Sequence, residues 1–187
     1  MPNAISKVFA IILAALVMFY FVTYQNYKKQ EDLAYIHTYQ EVTKFVDSVR
    51  MKGYITPKMY EQFEVGLHQG NEVLFDIEIV HEQKKYQPVY TNGTAFQSAT
   101  FTGKYQVQYD EYFKQQLFDV LYDESVPYNQ RMYKLQKDDY FTVTVQNKTK
   151  FKSTMLLSML TGGAAGTTDT TLYFPYGGMV LNEDWND

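Results

Sequence analysis

The chain is 187 residues long, 45% hydrophobic and 20% charged, which fits one ordinary domain plus one extra element and excludes disorder over most of its length. It contains no cysteine, which excludes disulfide scaffolds, Cys-type zinc sites, iron–sulfur clusters and thiol nucleophiles together. A net charge of −4 argues against a nucleic-acid partner, because such a partner needs basic surface to displace counterions.

The apolar run VFAIILAALVMFYFV, Val8 to Val22, carries no charged or amide side chain. A helix needs roughly 20 residues to cross a bilayer core. Ala4 and Ile5 on one side, with Thr23 and Tyr24 on the other, extend the run to that length. Lys7 can snorkel, and Tyr20, Tyr24 and Tyr27 suit a headgroup-level aromatic belt. The competing reading is a cleaved secretory signal, since Lys7 followed by an apolar run fits its first two regions. A cleavage site needs small residues after the run, and Phe21-Val22-Thr23-Tyr24-Gln25-Asn26 offers none. An uncleaved anchor over residues 1–25 is therefore expected, with the apolar positions Val8, Phe9, Ile12, Leu16, Phe19 and Val22 facing lipid or neighbouring helices. Lys7 on one side against Lys28, Lys29 and Lys44 on the other leaves the topology open.

No Gly or Pro interrupts the chain between Pro2 and Gly53. Leu33, Ile36, Val42, Phe45, Val46 and Val49 recur at three- and four-residue steps among charged residues, the pattern of an amphipathic helix. Residues 5–51 then read as one helix on the order of 70 Å long at 1.5 Å per residue, with a break near Gln25-Asn26 as the alternative. Its second half, residues 26–52, is expected to pack on the domain that follows. Gly53 is a C-terminal stop, and Thr56-Pro57 a cap and first helical position. Met59, Tyr60, Phe63 and Leu67 make the apolar face of a second helix ending near Gly70.

The segment from Asn71 to Gln83 alternates, with Val73, Phe75, Ile77 and Ile79 on one face, and predicts a half-buried strand. Lys84 to Tyr90 reads as its hairpin partner, and Thr91-Asn92-Gly93-Thr94 as a turn. Residues 103–109 alternate again. Asp110 reads as the cap of a helix to Tyr122 that buries Phe113, Leu117, Val120 and Leu121. Residues 123–131 predict a loop, 140–147 a strand, 151–160 a short helix and 162–169 a flexible loop. Strands follow at 170–174 and 179–181, and then a frayed acidic tail from Asn182 to Asp187. The expected class is α+β: a long transmembrane and amphipathic helix running onto an antiparallel-sheet head over residues 53–187.

Catalytic patterns are missing. His37, His68 and His81 have no histidine at i+3 or i+4, and the His81-Glu82 pair is followed by Lys85 where a zinc-protease motif needs His. They read as surface or boundary histidines. The serines lack a G-x-S-x-G context, and TGGAAGTTDT lacks the lysine of a phosphate loop. Asp123-Glu124, Asp138-Asp139 and Glu183-Asp184 are adjacent acids that read as solvated turn residues rather than a calcium loop. No enzyme activity, cofactor, metal or small-molecule substrate is expected, and from Gly53 onward Asp and Glu outnumber Lys and Arg.

The stretch FVDSVRMKGYITPKMYEQF, followed by a strand ending Ile79-Val80-His81, resembles the pilin-like minor pseudopilins of tight-adherence (Tad-type) pilus systems of Gram-positive bacteria. Phe45, Val46, Asp47, Gly53, Tyr54, Ile55 and Thr56 carry the likeness, which covers residues 5–81. It implies a non-enzymatic, single-pass membrane subunit of a pilus or secretion filament, with its head outside. Its partners would be the membrane and other pilin-like or secretion-platform subunits. No Gly-Phe processing site precedes the apolar run and no Glu occupies its fifth position, so the resemblance implies a minor component rather than a polymerising major pilin. The residues expected to carry membrane insertion and assembly are Val8, Phe9, Ile12, Leu16, Phe19, Val22, Leu33, Ile36, Phe45 and Val49. The alternative is a membrane-tethered extracytoplasmic binding module, a sensor or adhesin, working through the Tyr-rich head.

Overall fold

A computed structural model describes residues 2–69, 73–91, 101–163 and 172–186. Helix α1 runs unbroken from Pro2–Lys52, 51 residues, so Gln25-Asn26 is no break. At 1.5 Å per residue the rod is about 76 Å long. It stops where a left-handed residue is needed. Gly53 has φ +74° and donates its N–H to the Val49 carbonyl at 2.7 Å, satisfying an orphan acceptor of the last turn. A Cβ there would lie 2.2 Å from the Asn182 carbonyl oxygen, where the tail crosses. Gly53→Ala should therefore destabilise the head by more than about 1 kcal/mol, read as a lowered denaturation midpoint; an unchanged midpoint would show that the tail yields freely.

Strand β1 (Tyr54–Ile55) leads to α2 (Pro57–His68), whose N-cap Thr56 accepts from the Met59 N–H at 3.3 Å, as its sequence position predicts. Helix α2 packs against α1 through the stacked rings of Phe45 and Phe63, 4.4 Å between centroids. Gly66 allows the close approach, since a Cβ there would meet the Glu41 carboxylate at 2.6 Å.

The main sheet has the order β3-β2-β5-β6 and is antiparallel throughout. Its members are β2 (Phe75–Tyr90), β3 (Phe101–Phe113), β5 (Tyr140–Asn147) and β6 (Tyr173–Met179), while β4 (Tyr133–Lys134) pairs only with β1. Phe75, Ile77 and Ile79 of β2 share a face with Phe141, Val143 and Val145 of β5, and all six are buried. Val42, Phe45, Val46 and Val49 of α1 lie in the same core, joined by Tyr60, Phe63 and Leu67 from α2 and by Leu117 and Leu121 from α3 (Lys114–Leu121). The class is α+β with a long N-terminal helix, as expected. One face of the sheet holds the core and the other is wet, the usual arrangement for an antiparallel sheet.

Several expectations are corrected. Lys84 to Tyr90 is not the partner of 75–83 but its continuation, and β3 is the partner of both. Lys84 and Lys85, expected at the start of the returning strand, pair instead with Tyr109 and Gln108. Strand β5 ends opposite Glu82, so residues 83–90 of β2 with 101–110 of β3 form a two-stranded ribbon running past the core. Pro88 is tolerated there because the strand has a neighbour on one side only. Asp110 caps no helix: it sits in β3 and pairs with Lys85, while α3 starts four residues later, where the Gln116 side chain accepts the Phe113 N–H at 2.6 Å. Phe113 and Val120 are exposed, and only Leu117 and Leu121 of the expected four are buried. The two terminal strands are one, β6. The tail is not frayed through residue 185, because the Trp185 indole donates to the Leu135 carbonyl at 2.8 Å and Glu183 accepts the Lys137 N–H at 2.6 Å. The expected turn at 92–94, the end near Gly70, and residues 164–171 and 187 lie outside the described residues.

Candidate functional site

Helix α1 is the candidate site, and it divides into three stretches by what surrounds it. In the first, Val8, Phe9, Ile12, Leu16, Phe19 and Val22 are each at least half exposed, so the protein itself covers none of them. The apolar window has a mean hydropathy of 2.4 and none of it is buried. Among the described residues, one helix is long and apolar enough to cross a membrane.

The second stretch is braced by α4 (Lys152–Leu160). The Tyr20 hydroxyl donates to the Leu156 carbonyl at 3.1 Å, and the Ser153 hydroxyl donates to the Glu31 carboxylate. Glu31 also pairs with Lys28 at 3.1 Å, one turn away along α1, and the Lys152 ammonium stands 6.0 Å from the Tyr27 ring centroid. The third stretch packs on the head through Ala34, Thr38, Val42, Phe45, Val46 and Val49, all buried. Tyr35 and Tyr39 meet Phe174 of β6 edge-on at 6.1 and 5.1 Å. At the far end Arg50 pairs with Asp47 at 2.9 Å and donates Nε–H to the Met179 carbonyl at 3.0 Å, while the Tyr176 hydroxyl donates to Asp47 at 3.2 Å.

Phe45 and Val49, singled out from the sequence, are core residues. Leu33 and Ile36 are not packed beneath α1 as the stripe implied: they are 65% and 51% exposed. The buried line runs instead through the small residues Ala34 and Thr38, a four-residue step that continues to Val42 and Val46. Leu33 and Ile36 line one wall of a groove of about 920 Å³, with Tyr27 on the same helix and Met155 and Phe151 opposite. Its lining mixes these apolar side chains with polar and charged ones, among them Glu31, His37 and Gln40 on α1 and Lys150 and Lys152 opposite.

The histidines separate by environment. His37 donates Nε2–H to the Gly66 carbonyl at 2.8 Å and ties α1 to α2; His68 lies 5.9 Å from the Phe75 ring. His81, expected at the surface, is 2% exposed and faces Asp139, which is 1% exposed. Its Nε2–H donates to Asp139 Oδ2 at 3.0 Å and its Nδ1 accepts from the Tyr133 hydroxyl at 2.7 Å, which sets the tautomer. Asp139 also accepts the Gln136 N–H at 2.8 Å and the Lys84 N–H at 2.9 Å. Adjacent acids in a turn therefore diverge: Asp138 points outward at φ +71°, and Asp139 inward. The order Tyr–His–Asp invites comparison with a nucleophile relay. Burial pushes the Tyr133 phenol far above its ordinary range, however, so it resists the ionisation a nucleophile needs. Both imidazole nitrogens are engaged and sealed, so the cluster joins strands rather than meeting a substrate. Asp123 is likewise committed: the Ser125 hydroxyl and N–H donate to it at 2.6 and 2.9 Å and hold its carboxyl below the usual range. Among the described residues no group of three or more His, Asp or Glu is placed to hold a metal ion.

Sequence reasoning missed the Tyr20–α4 contact and the His81–Asp139 pair. Neither has a local signal, because the partners are 136 and 58 residues apart. Comparison with family models, curated proteins and solved structures finds no match to this chain.

Proposed function

We propose that this protein is a non-enzymatic, single-pass membrane subunit of a pilus or secretion filament, a minor pilin-like component with residues 53–187 outside the cytoplasm. One observation carries the reading: a single unbroken helix is bare and apolar over its first half and built into the head's core over its second. A head so joined cannot swing free of its anchor, because no hinge residue separates them. A simple tether needs no such continuity, whereas a subunit placed by helix–helix packing does. The resemblance of residues 45–56 to Tad-type minor pseudopilins supports the same reading.

Neighbouring subunits would pack on α1 in lipid and continue onto Leu33 and Ile36, which line an open groove beside α1. Leu33→Asp with Ile36→Asp tests this in cells that express the protein. Both positions are at least half exposed, so head stability should change by no more than about 0.5 kcal/mol per site. Cross-linked capture of neighbouring membrane components should fall sharply, while protease shaving of intact cells should still remove the head. Unchanged capture would remove the assembly role of this face.

A second reading, a tethered binding module, is favoured by the β2–β3 ribbon. Tyr86, Tyr105 and Tyr109 are exposed on it, which accounts for part of the Tyr enrichment without a core role.

A further inference from the structure

We propose that α4 is a second membrane contact: a short helix that lays Met159 and Leu160, at its far end, into the lipid beside the anchor. The proposal rests on the membrane-spanning reading of α1 and adds to it how the head sits on the bilayer.

The level of α4 along α1 is set by three contacts. Ser153 meets Glu31, Lys152 stands over Tyr27, and the Leu156 carbonyl meets Tyr20. From its first residues to its middle, α4 therefore descends alongside α1 toward the apolar run, and Met159 and Leu160 follow further on. Tyr20 lies inside that run. If the hydrocarbon span ends near Tyr24, Tyr20 is four residues below the boundary, about 6 Å at 1.5 Å per residue. The contact is made by the far end of the Tyr20 ring, with Ser153 opposite Glu31, which puts the Leu156 carbonyl near the boundary. Met159 and Leu160, further along α4, are left to enter the shallow zone of about 5–10 Å in which interfacial helices bury their apolar face.

The chemistry of the exposed face agrees as well. Met159 is 82% exposed and Leu160 65%, two large apolar side chains side by side at the end of a nine-residue helix with no acidic residue. In water they would be an open apolar patch among the described residues; at this depth the same surface is continuous with the bare anchor. Lys152 and Lys28 lie about one turn above the boundary, where long cationic side chains reach headgroups. The Tyr20 hydroxyl, which would otherwise be an unsatisfied donor near lipid, is satisfied by the Leu156 carbonyl. That bond explains why a tyrosine is tolerated inside the apolar run.

Because the chain has no cysteine, single-cysteine variants of the full protein can carry a nitroxide label without background. Three positions suffice: Val17→Cys in the span, Met159→Cys on α4 and Val65→Cys on the exposed side of α2, each more than 60% exposed and so open to a label. In phosphatidylcholine vesicles, collision with oxygen reports lipid and collision with a water-soluble nickel chelate reports solvent. Positions 17 and 159 should favour oxygen, with 159 shallower, and the oxygen-to-nickel ratio at 159 should exceed that at 65 several-fold. Nickel access at 159 with oxygen access at 17 would overturn the proposal and leave the anchor standing. Shielding of 159 from both reagents would also overturn it, by showing protein rather than lipid over α4. Nickel access at 17 would remove the spanning reading itself, and this proposal with it.

Discussion

Asp139→Ala should destabilise the head by about 3–5 kcal/mol, among the largest effects of any single side chain. The carboxylate is 1% exposed and accepts from three donors: the His81 ring, the Gln136 N–H and the Lys84 N–H. Truncation removes the acceptor of all three, the His81 ring in a buried site and the two N–H groups in partly buried ones, and each buried orphan costs about 1–3 kcal/mol. His81→Ala should cost less, because Asp139 would keep both backbone donors. Asp139→Asn should fall between, since its amide can accept from one side but presents hydrogens to donors on the other. Guanidinium unfolding of the detergent-solubilised full chain, followed by its aromatic signal, gives the three values. A loss below about 1 kcal/mol for Asp139→Ala would mean that water reaches the site and relieves the orphans.

Tyr27→Pro should cut incorporation into a membrane assembly sharply while leaving both anchor and head in place. Proline removes the backbone donor and clashes with the preceding turn, costing about 3 kcal/mol or more inside a helix. Residue 27 lies past the apolar run and seven residues ahead of Ala34, the first core residue of α1, so neither insertion nor the head's core depends on it directly. The kink falls between Tyr20 and Glu31, two of the three points where α4 meets α1, and the substitution removes the third, the Tyr27 ring beside Lys152. Those bonds hold only on a straight helix, so the head should tilt relative to the span. Cross-linking to neighbouring membrane components, wild type against variant, is the measurement. Ala substitution at His37 or His68, which leaves the rod straight, should not reproduce the loss. Normal incorporation of Tyr27→Pro would reduce the rod to a tether and favour the binding-module reading.

Some of this was legible in the residues alone. The length of α1 follows from the missing Gly and Pro between residues 2 and 53, its end from Gly53, the start of α2 from Thr56-Pro57, and β5 from a run of β-branched and aromatic residues. Each depends on backbone conformations and side-chain steps within about four residues, and such signals are written locally. The apolar run likewise shows by its own composition a helix able to cross a membrane.

Tertiary structure decided the rest. Whether Lys84 to Tyr90 is the partner of the preceding strand or its continuation depends on where β3 pairs, and the register is set by contacts that the local pattern does not contain. Asp139 looks like its exposed neighbour Asp138 until His81, 58 residues away, closes over it. Leu33 and Ile36 match a core stripe as well as Ala34 and Thr38 do, and the approach of the sheet left the larger pair outside. α4 reads as an ordinary short helix until Tyr20, 136 residues earlier, places it at the end of the apolar run. In each case burial removes a side chain from water only when a distant segment arrives, and that free energy belongs to the pair of segments rather than to either one.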